Sequence, residues 1–278
     1  MPNHVTNRIQ FYGKQENINK VLELIKGEDT CIDFNKIIPM PKELSLPSSS
    51  DVEISIRYAI SKMNGEDSAK ITQILRDTPH GFYGNYYNHI FDRNITNEFI
   101  ESRVQEFEDY LKGVVEHPFD ATDYEGLDIR NFEDLGNTYL RNIIKYGCDT
   151  WYDWCRTYWG TKWNAYSTHW DKVQSILEFD TAWSCPLPVL EELWHLCEEH
   201  EVYFEGMWAD EDGGCNTGYF DSNYYGTGSW DVRYIENGSD EAYEIYGELH
   251  GRSNCIGKDE DGHWVHYDCD TCPNRESC

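Results

Sequence analysis

The chain opens on an alternation in which Val5, Ile9 and Phe11 fall between polar neighbours, the period-two pattern of a strand buried on one face. Ile18, Val21, Leu22 and Ile25 then recur at helical spacing over residues 15–26, and Gly27 supplies a stop. Cys31–Phe34 reads as the next extended piece. Pro39, Pro41 and Pro47 keep the adjoining stretch out of regular structure, since proline lacks an N–H and fixes φ. From residue 49 to 148 the pattern turns helical. Thr96 and Asn97 can cap a helix whose stripe is Ile100, Val104, Phe107 and Leu111, and Phe132, Leu135, Tyr139 and Ile143 make a second stripe closed by Gly147. The tyrosine- and glycine-rich stretch from His80 to His89 is expected to be a loop between helices.

Strand patterns then return. Trp151–Trp154 and Trp159–Tyr166 are too dense in aromatics for an exposed loop, and Ile176, Leu177 and Phe179 lead into a strand that ends near Pro186. Pro186 and Pro188 open a helix bearing Val189, Leu193, Leu196 and Cys197, because proline is tolerated in a first helical turn. Val202–Glu205 restarts extended structure, and the glycines at 213, 214, 226 and 228 mark turns between aromatic strands. The order is strand, helix, strand, a helical insertion, then two strands, helix, strand and a hairpin: an α+β chain.

Composition narrows the function. A chain with 39% hydrophobic and 15% aromatic residues, 10 Trp and 20 Tyr among them, is no disordered acidic tail. Asp plus Glu total 51 against 23 Lys plus Arg, a formal net charge of -28, which opposes direct nucleic-acid binding because phosphates need a basic stripe. Such acidity serves solubility, or it serves a surface that competes with DNA for a basic groove on a partner protein. No apolar run is long enough to span a membrane, and the start Met1-Pro2-Asn3-His4 is not a signal peptide, so a cytoplasmic protein is expected. Its ten cysteines then read as thiols or metal ligands rather than disulfides.

The strongest candidate chemistry lies in the tail. Cys269 and Cys272 form a C-x2-C knuckle, and Cys278 with Cys255 or His266 would complete four tetrahedral ligands for a structural zinc. The same spacing also suits an iron–sulfur cluster, and free or disulfide-linked cysteines are the third reading. Cys197 shares an apolar stripe and is expected in the core. Asp210-Glu211-Asp212 beside Gly213-Gly214 departs from the EF-hand spacing and reads as a solvated turn. Trp159 and Trp163 would need a basic groove to stack bases, yet only Arg156, Lys162 and Lys172 are near in sequence, so these tryptophans, with Trp183, are assigned to the core. No Walker loop, GxSxG elbow, HExxH helix or GxGxxG fingerprint occurs. Residues 201–250 carry twelve acidic side chains against Arg233 alone. Asp210, Glu211, Asp212, Asp221, Asp231, Glu236, Asp240, Glu241 and Glu244 are therefore the candidate partner-binding carboxylates.

Four ordered blocks carry a resemblance. Pro2-Asn3-His4-Val5-Thr6-Asn7, Ile32-Asp-Phe-Asn-Lys-Ile-Ile-Pro-Met-Pro41, Trp159-Gly-Thr-Lys-Trp-Asn-Ala165 and Phe179-Asp-Thr-Ala-Trp183 are similar to the YubB-type ferredoxin-like domain family of phage and plasmid accessory proteins. The chain departs from that pattern at Cys185 and in its Cys-rich tail. The resemblance implies a ferredoxin-like αβ plait, discontinuous over 1–48 and 149–235, with a helical insertion at 49–148 and a Cys-rich C-terminal extension at 236–278. It transfers no catalytic residue.

The expected function is a phage-encoded acidic inhibitor, not an enzyme, acting in the host cytoplasm. It would bind a host antiviral defence protein, one that handles nucleic acid, and block nucleic-acid access or activation as a DNA mimic. The rival is a metal-dependent nucleic-acid-processing enzyme or replication accessory factor. Self-assembly into a homo-oligomer through aromatic strand edges is a third expectation.

Overall fold

A computed structural model of the chain describes residues 3–49, 51–77, 94–116, 129–223, 226, 228–251, 256–259, 262 and 264–266. The His80–His89 loop lies outside them. The chain divides into two compact units, Met1–Pro39 with Tyr158–Cys278, and Met40–Thr157. These boundaries fall earlier than 48/49 and later than 148/149, the second because α6 (Trp151–Tyr158) continues the helical run up to the junction.

The first unit is built on a six-stranded antiparallel sheet of order β2-β3-β1-β4-β5-β6. Its strands are β1 (His4–Tyr12), β2 (Tyr166–Asp171), β3 (Ile176–Ala182), β4 (Tyr203–Asp210), β5 (Gly218–Asp221) and β6 (Asp231–Tyr234). Helices α1 (Gln15–Ile25) and α7 (Leu187–Glu199) make the two crossovers, so β1-α1-β2-β3-α7-β4 is the ferredoxin-like order, extended past β4 by two strands. Alternation along β1 sends Val5, Asn7, Ile9 and Phe11 to one face, and the register brings Leu177, Phe179, Phe204 and Trp208 to the same side. Ile18, Val21 and Ile25 of α1 and Val189, Leu193 and Cys197 of α7 are buried as well. Each valine, leucine, isoleucine or phenylalanine among them contributes about 1.5–3 kcal/mol by leaving water.

The elements expected at Cys31–Phe34 and before Pro186 fare differently. The second is β3. The first is no strand: the chain makes a single helical turn at Phe34–Lys36, capped by the Asp33 carboxylate accepting from Asn35 N. Side chains hold it there, with Cys31 N donating to Thr168 Oγ1 at 2.9 Å and Phe34 N to Asn164 Oδ1 at 2.9 Å. The second plait strand is instead β2, a sheet edge that carries a bulge between Tyr166 and His169.

The second unit is helical, with α2 (Asp51–Lys62), α3 (Gly65–Asp77), α4 (Asn97–Glu116), α5 (Phe132–Tyr146) and most of α6. Its core joins Ile54, Ile56, Phe107, Phe132, Leu135, Tyr139 and Ile143. Both caps expected from sequence form: Phe99 N donates to Thr96 Oγ1 at 3.3 Å, and Gly147 ends α5 in the left-handed region at φ 72°. Among the described residues no helix is long and apolar enough to cross a membrane.

Candidate functional site

Because β1 buries Val5, Asn7, Ile9 and Phe11, it must turn Arg8, Gln10 and Tyr12 to the opposite face of the sheet. Register then assembles two cross-strand rows there. One runs Glu178, Arg8, Met207, Tyr219, Arg233, and the next runs Ile176, Gln10, Glu205, Asp221, Asp231. Helix α8 (Asp240–His250) covers part of this face with Ala242 and Ile245. Beside it a groove of about 830 Å³ remains, floored by both rows apart from Glu178 and walled by Glu248.

The two rows differ in how their charges are spent. Arg8 Nε donates to Glu178 at 2.6 Å, and its Nη1 donates to Glu248 at 3.0 Å. Arg233 bonds Glu241 at 2.7 Å while its guanidinium lies 4.8 Å over the Tyr219 ring. Glu205, Asp221 and Asp231 stand on three neighbouring strands, directly opposite one another. Among the described residues no Lys or Arg pairs with any of the three. Adjacent strands are ~4.8 Å apart, and like charges set opposite each other cost a few tenths to about 1 kcal/mol per pair. The Tyr12 hydroxyl donates to Glu205, and its ring stacks on Tyr203 at 5.0 Å. Burial, this bond and the negative field of Glu205 and Asp221 push the Tyr12 phenol up to about 12.

The nine carboxylates singled out from sequence do not form one surface. Asp221 and Asp231 lie in the groove. Asp210 is 5% exposed and accepts from Asn3 Nδ2 at 3.2 Å, Asp212 N at 3.0 Å and Asn216 Nδ2 at 3.3 Å, so it anchors a turn and presents no free charge. Asp212 also accepts from Asn3 Nδ2, while Glu211 and Glu236 are exposed. On α8, Asp240 takes bonds from Lys258 and Trp264 Nε1, which draw its carboxyl below the ordinary range. Glu241 is committed to Arg233, and Glu244 is exposed. Arg8, Tyr12, Glu205 and Glu248 are groove residues that sequence reasoning misses. The signal for Arg8 and Tyr12 is the outward phase of the β1 alternation, whose inward phase gives the core.

Two tryptophans leave the core to which sequence assigns them. Trp159 is buried and donates to Ile38 O at 2.9 Å. Trp183, however, comes after the end of β3 with φ 76°, and the residue is 37% exposed. That turn breaks the strand alternation, so Trp183 and the half-buried Trp163 instead flank Lys162, whose Nζ lies 4.6 Å from each ring. The tail ligand residues Cys255, Cys269, Cys272 and Cys278 lie outside the described residues, as does the side chain of His266. Among the described residues no group of three or more His, Cys, Asp or Glu is arranged to hold a metal.

The strand order, the two helices behind the sheet and the β5–β6 extension together invite comparison with known domains. Residues 162–249 match a ferredoxin-like domain in Api92-like protein. The matched segment runs from the turn before β2 through nearly all of α8, and includes Glu205, Asp221, Asp231 and Glu248 of the groove. It reaches past residue 235, the end of the plait expected from sequence. The crystal structure of a protein api92 from Yersinia pseudotuberculosis aligns over 86% of this chain and 100% of that chain, with 15% identity and a TM-score of 0.37. No curated protein matches. The blocks behind the YubB-type resemblance serve the architecture: Asn164 Nδ2 donates to Asp33 at 2.7 Å, Thr161 Oγ1 to Ala182 O at 2.7 Å, and buried Asn7 Nδ2 to Thr181 Oγ1 at 2.9 Å.

Proposed function

We propose that this chain is a binding protein that acts as an acidic inhibitor, occupying the nucleic-acid groove of a basic partner. The observation that carries the reading is the row Glu205, Asp221, Asp231, three carboxylates held side by side on the uncovered part of the sheet in a chain of net charge -28. A fold that places like charges opposite one another gives up stability there, and a complementary surface would recover it. Resemblance to YubB-type accessory proteins of phages and plasmids points to a host antiviral defence protein as the partner, met in the host cytoplasm.

The test is displacement. A pull-down from host lysate isolates the captured protein, and labelled duplex is then bound to it and titrated with this chain. Stoichiometric release of the duplex, weakening steeply as salt is raised, is expected, because the competition is between two polyanions for one basic groove. Turnover of the duplex that stops on chelation would replace this reading with the metal-dependent enzyme.

A further inference from the structure

The groove on the open face has a chemistry of its own, and the fold already shows how it handles one kind of group. Two guanidiniums of this chain lie along it, and both are held alike, by carboxylates at the sides and, for Arg233, by a tyrosine ring beneath. One row further on, the same ingredients recur without a cation among the described residues: Glu205, Asp221 and Asp231 across three strands, with the stacked Tyr12 and Tyr203 rings at one end.

We propose that this groove is the docking site for an arginine-bearing segment of the partner protein, its guanidinium seated on Glu205, Asp221 and Asp231. The proposal rests on the inhibitor reading and deepens it by naming the groove and the partner's side chain. A volume of about 830 Å³ admits a run of side chains and not a single ion. Charge complementarity selects a cation, and the sheet geometry selects among cations. A planar guanidinium can lie against a tyrosine ring and bridge carboxylates on adjacent strands through its fork of donors, whereas an ammonium is a point charge that prefers its own hydration. A second copy of this chain would bring its own acidic row to the same place, and nucleic acid would bring phosphates, so both are repelled. Burial and the hydrogen bond to Glu205, with a smaller part from the neighbouring carboxylates, raise the Tyr12 phenol at the end of the row.

The test uses the full chain and labelled hexa-arginine, hexa-lysine and glycine-serine hexamers, measured by fluorescence anisotropy at about 150 mM salt. Hexa-arginine should bind about tenfold more tightly than hexa-lysine, which carries equal charge, and the neutral peptide should not bind. Asp221→Asn with Asp231→Asn should weaken the arginine peptide by about tenfold or more. Glu191→Gln with Glu192→Gln removes the same charge from exposed sites on α7, across the sheet, and should change affinity by less than about twofold. Melting curves guard against misfolding, and the groove pair should melt no lower than the parent because it removes a repulsion. Equal binding of the two cationic peptides, or equal loss in the two double variants, would show mere polyanion attraction and overturn the proposal. If the groove pair still displaces duplex from the captured partner as the parent does, the docking site is wrong while the inhibitor reading survives. If arginine peptides bind the groove but no duplex is ever displaced, the inhibitor reading fails and the site stands.

Discussion

At the scale of single residues, burial separates side chains that sequence treats alike. Trp208 is fully buried on the helix-facing side of the sheet, stacked 6.3 Å from Phe220. Trp208→Ala should therefore cost about 3–5 kcal/mol, the range for large aromatic truncations in cores. Trp183→Ala removes a half-exposed ring that lies against Lys162, and should cost nearer 0.5–1 kcal/mol, roughly the worth of an exposed cation–π contact. Denaturant midpoints with unchanged slopes would read both, and equal losses would mean that Trp183 is a core residue after all. The thiols divide in the same way. Burial pushes Cys148, Cys155 and Cys197 up to about 12, and Cys185 well above its ordinary range, while Cys31 and Cys215 are partly exposed. In a native-state labelling experiment with a thiol reagent at about pH 8, Cys31 and Cys215 should modify before Cys148, Cys155, Cys185 and Cys197, which react only on unfolding, since the thiolate is the reactive form. The buried thiols bind protons more tightly in the folded chain than in the unfolded one, so their contribution is intact below pH ~9 and is lost progressively as pH climbs toward ~12. Alkaline melts should show that decline.

At the scale of elements, the helices are the legible part. Periods of three and four residues in α1, α5 and α7 name the buried faces found in the structure, and the α4 stripe packs against its core through buried Phe107 and partly buried Ile100, Val104 and Leu111, because a helix makes its pattern locally. The strands are less so. β2 is a bulged edge with alternately half-buried and exposed positions, carrying no apolar alternation to detect, while Cys31–Phe34 imitates a strand yet is held by side chains from residues 164 and 168. The groove is invisible in sequence for a related reason: Gln10, Ile176 and Glu205 meet only through register between strands far apart in the chain. Helix packing offers the sharpest test at this scale. Gly136 sits where α5 crosses α2, and a Cβ there would meet Ser55 O at 2.0 Å and Ala59 Cβ at 2.9 Å. Helix propensity alone predicts that Gly136→Ala gains about 1 kcal/mol. The clash is with backbone, which cannot rotate away, so overpacking should win and the variant should lose about 1–3 kcal/mol net. A variant more stable than the parent would mean that α2 and α5 do not approach as closely as described.

At the scale of the whole molecule the governing quantity is the net charge of -28. Two opposite salt dependences are conceivable. If ion pairs held the fold, screening would lower stability; if unpaired carboxylates strained it, screening would raise stability. Among the described residues, many of the ion pairs join side chains three or four positions apart on one helix, with both partners largely exposed in pairs such as Lys26–Glu23, Lys70–Glu66 and Lys112–Asp109. Exposed pairs of that kind contribute about 0.2–0.5 kcal/mol each. Against them stand more than twice as many acidic as basic side chains, including the row Glu205, Asp221, Asp231, whose mutual repulsion acts over about 5 Å between strands. Repulsion is the larger sum. The melting temperature should therefore rise as sodium chloride is increased from about 10 to 150 mM, over which the Debye length falls from about 30 to 8 Å. Asp221→Asn with Asp231→Asn should flatten that rise by removing part of its cause, whereas Lys112→Gln, which breaks an exposed pair and adds to the excess negative charge, should steepen it. A melting temperature that falls with salt in the parent would show that the acidic surface is internally compensated, and would remove the energetic reason for a basic partner to bind it.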